Sequence, residues 1–92
     1  MARPEISELY RVLRVREFGF ISRGEHHLND VYDAVKSQFS SLCDDRFLCS
    51  ANCSSGHDQP EWCHTTRKAL WSLKTEAGPI QAGHARGYWR FS

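Results

Sequence analysis

The sequence predicts a small, mainly α domain closed by one β-hairpin, an α+β fold. Three observations predict it. Leu28, Val31, Tyr32, Val35, Phe39 and Leu42 repeat along one helical face. Trp62, Thr66, Ala69, Leu70 and Leu73 form a second such stripe. Beyond Gly78-Pro79 the pattern changes to a Gly-tipped, aromatic ribbon ending in Tyr88-Trp89-Arg90-Phe91.

Each element follows from local chemistry. Pro4 suits a first helical position, and Glu5 and Glu8 suit the positive end of a helix dipole. Ile6, Leu9, Tyr10 and Leu13 then recur at helical spacing, so a helix is expected over 4–17, ending near Gly19. A core helix is expected within 25–42, capped by Asn29 or the residues just before it. His26-His27 reads as a surface feature of that region. A polar loop is expected over 43–60. A third helix is expected over 60–77, opened by Pro60 and stopped by Gly78-Pro79. The hairpin spans 79–91, around Gly83-His84-Ala85-Arg86. Alternation turns Trp89 and Phe91 to the core side and Tyr88 and Arg90 to the other. Trp62 is expected in the core as well. All of this makes one domain, 1–92.

The chain carries 12 basic and 11 acidic side chains, net +1. That excludes a uniformly basic nucleic-acid coat protein. The charge is nevertheless sorted. Arg67, Lys68, Lys74, Arg86 and Arg90 stand against Glu76 alone from residue 64 onward, whereas 43–63 is acidic. No stretch is long and apolar enough to span a membrane, and the start lacks a secretory pattern, so a cytoplasmic location is expected.

Four cysteines and two histidines crowd into 43–64. Three thiols and an imidazole there are spaced to close around one tetrahedral zinc ion, which would staple the polar loop of a small domain. The first choice of ligands is Cys43, Cys49, Cys53 and His57. Cys63 and then His64 are the rivals for the fourth place. Free thiols, with Cys43 as a small buried residue, and two disulfides are the alternatives.

The run from His64 to Phe91 resembles the winged helix-turn-helix domains attached to restriction endonucleases, including the Mrr-type amino-terminal domain and modification-dependent HNH enzymes. Arg67, Ala69, Leu70, Leu73 and Lys74 match the family's helix. Gly78 matches its turn, and Arg86, Gly87, Tyr88 and Trp89 match its Arg-Gly-aromatic-Trp wing. The likeness covers roughly 28–91; the helix over 4–17 lies outside it. It implies a winged helix-turn-helix, zinc-stapled if the loop binds metal, with the third helix as recognition helix in a DNA major groove.

The contact residues it implies are His64 and Thr65 in the first turn, nearest the base edges. Arg67 would reach a guanine or a phosphate, and Lys68 and Lys74 would reach phosphates. Arg86 in the wing would meet a minor groove or the backbone, with Arg90 beside it. Trp71 and Tyr88 are candidates for a thymine methyl or a methylated base, with packing as their default role.

No Gly-rich phosphate loop, His-Glu-x-x-His pair or nuclease carboxylate set occurs. The chain therefore reads as a double-stranded DNA-binding module and not an enzyme, with any nuclease supplied as a fused domain or a partner subunit. Its place would be the specificity domain of a restriction-type system, reading sequence or a methylated base. Two other readings compete. One is a small dimeric transcription regulator. The other is a zinc-stapled protein-interaction module that never touches DNA.

Overall fold

Helix α1 (Pro4–Arg16) places Glu5 in its first turn and Arg14 and Arg16 in its last, each favourable for the helix dipole. The computed structural model describes residues 4–46, 60–74 and 78–92. Ile6, Leu9 and Leu13 bury the inner face of α1. The helix stops before Gly19, where Glu17 and Phe18 take left-handed conformations, φ 51° and 56°. That reversal costs strain in residues carrying a Cβ. It drives the Phe18 ring into the core, where only 1% of the residue stays exposed.

Strand β1 (Gly24–His27) comes next, and the sequence reading missed it by assigning 25–42 to a single helix. Gly-Glu-His-His has no apolar alternation to announce a strand. It is a strand because it has a partner. Its residues pair antiparallel with those of β3 (Tyr88–Phe91), from Gly24 opposite Phe91 to His27 opposite Tyr88. The other edge of β3 takes β2 (Ile80–Ala82), so the expected hairpin is the outer part of a three-stranded antiparallel sheet, order β1-β3-β2.

Helix α2 (Leu28–Gln38) is therefore shorter than expected, and a 3₁₀ turn over Ser40–Leu42 completes the predicted segment. Its cap is His27, whose Nδ1 accepts the Asn29 backbone N–H at 3.1 Å. Val31, Tyr32 and Val35 form its buried face. Helix α3 (Glu61–Leu73) begins as expected and stops before Lys74, which is extended. Residues 75–77 of the expected helix lie outside the described residues.

α3 packs chiefly against α1, and its Trp62, Ala69 and Leu70 close the core over Phe18, Ile80, Trp89 and Phe91. Trp89 and Phe91 are buried and Arg90 is exposed, as alternation along β3 requires. The domain is thus α+β; among the described residues three helices lie on a three-stranded sheet, an arrangement compatible with a winged helix. Among the described residues no helix is long and apolar enough to cross a membrane.

Candidate nucleic-acid interface

The buried side of α3 is wider than its apolar stripe. Cys63, expected away from that stripe, is buried, and so is Thr65. Thr65 was expected in the exposed first turn, nearest a DNA base. Only 6% of it is exposed, because α1 lies against that side with Ile6, Ser7 and Tyr10. Its hydroxyl donates to the Glu61 carbonyl at 3.1 Å, and that of Thr66 donates to the Trp62 carbonyl at 2.9 Å. Both bonds satisfy polar groups inside the packed helix pair. Thr65 therefore presents little surface outward, and it borders only a small cavity shared with α1 and Lys68.

What remains outward is a basic and aromatic face. Lys68, Trp71 and Lys74 are exposed, and His64 and Arg67 are half-buried beside them. Lys68 Nζ stands 5.8 Å from the centroid of the Tyr10 ring on α1. Lys74 Nζ stands 4.3 Å from that of Trp71. Both cations are steadied by a ring while their heads stay in water.

The wing joins this face through two tryptophans. Trp71 on α3 meets Trp89 on β3 edge-to-face, centroids 5.6 Å apart. Between them and the turn that carries Arg86 runs a groove of about 400 Å³. The turn is fixed from behind. Glu25 on β1 accepts the His84 backbone N–H and also meets the His84 ring nitrogen Nδ1. These bonds, the backbone one first, hold the Glu25 carboxyl below the usual carboxylate range. Gly83 leaves no space there: a Cβ would lie 2.6 Å from Glu25 Oε2 and 2.7 Å from Tyr88 Cβ. Gly87 follows with φ 87°, a left-handed turn that suits glycine.

Sequence reasoning missed Glu25 and His84, for Glu25 lies 59 residues from its partner and no local pattern links them. Tyr88 borders the groove but is partly covered, with His27 and His84 against its ring at 5.0 and 4.7 Å. Arg90 is set apart from the α3 cations. It projects from the sheet face turned away from the core, opposite Glu25 of β1 and Gln81 of β2.

The loop that was expected to hold zinc is described only at its ends. Cys49, Cys53 and His57 lie outside the described residues. Cys43 is buried, with its Sγ facing the Val35 carbonyl at 3.9 Å. Burial pushes its thiol up to about 11 and that of Cys63 up to about 12. In this arrangement Cys43 packs as a protonated thiol and would have to lose its proton to hold a metal. Among the described residues no three His, Cys, Asp or Glu side chains are grouped to hold an ion.

Two carboxylates shape the loop's first residues. Asp45 accepts the Trp62 indole N–H at 2.7 Å and pairs with Lys36, linking α2 to the start of α3. Asp44 caps the Arg46 backbone N–H and binds its guanidinium.

Compared with protein-family models, curated proteins and solved structures, the chain gives no match to any of them.

Proposed function

We propose that the domain binds double-stranded DNA with the outward face of α3 and the wing. The observation that carries this reading is continuity. Lys68, Trp71 and Lys74 on α3 run without a break into the wing turn bearing Arg86, through the Trp71–Trp89 contact. A helix entering a major groove presents such a face to base edges and phosphates. A wing held to the same helix reaches the neighbouring backbone or minor groove.

The element and sheet order support a winged helix-turn-helix, with one departure. The helices of a helix-turn-helix are joined by a turn of a few residues, whereas here residues 39–60 separate α2 from α3. His64, Arg67 and Lys68 supply the contacts near the helix start. Lys74 and Arg86 neutralise phosphates. Thr65 has no role in reading, and Arg90 lies on another face. The reading of sequence or of a methylated base, and a nuclease domain or subunit as partner in a restriction-type system, belong to this proposal. So does a structural zinc on Cys43, Cys49, Cys53 and His57, which rests on spacing alone.

Fluorescence anisotropy against a mixed-sequence duplex, unmethylated and then adenine- or cytosine-methylated, tests it at two salt concentrations. Salt-dependent binding that weakens in both Lys68→Ala and Arg86→Ala supports it. No binding to any duplex at low salt overturns it and makes a protein partner the better reading.

A further inference from the structure

Trp71 is out of place for a residue that serves only the fold. Its side belongs to the helix face that meets solvent, and 62% of the residue is exposed. Yet it is not a loose surface ring. Its edge-to-face contact with Trp89 and the Lys74 ammonium above it fix its position. The open space next to it is the groove of about 400 Å³. Wing residues Gly83 to Gly87 line it as well, and the Glu25–His84 bonds hold their turn. One flank carries Lys74 and the wing carries Arg86.

The groove thus combines aromatic residues with Lys74 and Arg86 among those that line it. In a paired duplex the faces of the bases are covered by their neighbours, and a protein reaches only their edges. Indole surface beside a slot matches a base that has left the stack. The cations then stand where the phosphates on either side of that nucleotide would pass. An acidic peptide would satisfy the cations but offers no flat ring to the Trp71 indole.

We infer that the groove between Trp71 and the wing seats one unpaired or everted nucleobase, with Lys74 and Arg86 on the flanking phosphates. The inference rests on the DNA-binding reading and deepens it. The domain then favours duplexes in which a base is already free, because extruding a paired base is costly.

The test is an anisotropy titration with two labelled duplexes of one sequence, one perfect and one carrying a single-nucleotide bulge. Wild type, Trp71→Ala and Trp71→Phe are compared, each checked for an unchanged thermal melt. The expected result is about tenfold tighter binding to the bulged duplex. That preference, read as the ratio of the two affinities, vanishes in Trp71→Ala and partly returns in Trp71→Phe. Equal affinity for the two duplexes, or a preference that survives Trp71→Ala, overturns the base slot and leaves the duplex reading standing. No binding to either duplex overturns both, as does quenching of tryptophan fluorescence by an acidic aromatic peptide when neither DNA quenches it.

Discussion

The Asp45 carboxylate accepts the indole N–H of Trp62 at 2.7 Å, and the same carboxylate pairs with Lys36. A loop residue thereby joins the helix before the loop to the helix after it. The Lys36 ammonium, and after it the Trp62 N–H, hold the Asp45 carboxyl below the usual carboxylate range. A depressed carboxyl pKa contributes stability above the unfolded-state value, near ~3.9, and that contribution disappears as pH falls through the folded value. Asp45→Ala should therefore melt about 5 °C below wild type at neutral pH. The gap should close in acid. Differential scanning calorimetry at several pH values checks this, and a gap that stays constant into acid contradicts it.

Thr65 and Lys74 separate burial from binding. With its hydroxyl turned to the Glu61 carbonyl and its side against α1, Thr65 should contribute nothing to DNA affinity. Thr65→Val should bind duplex DNA within a factor of about two of wild type. Lys74→Ala should weaken binding at every sequence and lower the salt slope by about 0.9. A large affinity loss in Thr65→Val would return that residue to the interface.

Gly83 is constrained by contacts from two elements. Gly83→Ala should destabilise the domain by about 1–3 kcal/mol, because the new methyl meets the Tyr88 Cβ and backbone as well as the Glu25 carboxylate. Removing the carboxylate in the double variant Glu25→Ala/Gly83→Ala should restore little, since the Tyr88 contacts remain. Urea denaturation of the two variants decides the point, and full recovery in the double variant would assign the whole clash to Glu25.

Zinc on Cys43, Cys49, Cys53 and His57 has a stoichiometric consequence. Purified protein should release about one zinc ion per chain on thiol titration with a mercurial. Cys49→Ser and Cys53→Ser should abolish that release, and Cys63→Ser should not. A metal-free protein with an undiminished melting temperature would leave Cys43 as the buried thiol its packing describes.

Periodicity made α1, the inner face of α2 and most of α3 legible, because each of those helices turns an apolar stripe to one core. Gly78-Pro79 and the aromatic alternation of 88–91 did the same for the hairpin. β1 was hidden for a physical reason: Glu25, His26 and His27 are polar on both faces, and only the free edge of β3 makes them a strand. The basic face of α3 was legible as a face, and its border was not. Thr65 lies inside that border because α1 covers it, a fact about a second helix that α3's own spacing does not carry. Trp71 at the stripe's edge was visible in the sequence. The groove beside it depends on Glu25 meeting His84 across the fold.

The position of β1 in the sheet also sets an order of assembly. Residues 24–27 precede helices α2 and α3, yet their hydrogen-bonding partners are residues 88–91. At ~5–20 residues per second, a growing chain leaves that segment unpaired for about 3–12 s. A pairing so distant is slow to form in any refolding experiment too. An apolar segment left open for that time would invite other chains to its edge. Charged Glu25 and two imidazoles do not, and the polarity that conceals the strand from a reader also protects it until its partner is made.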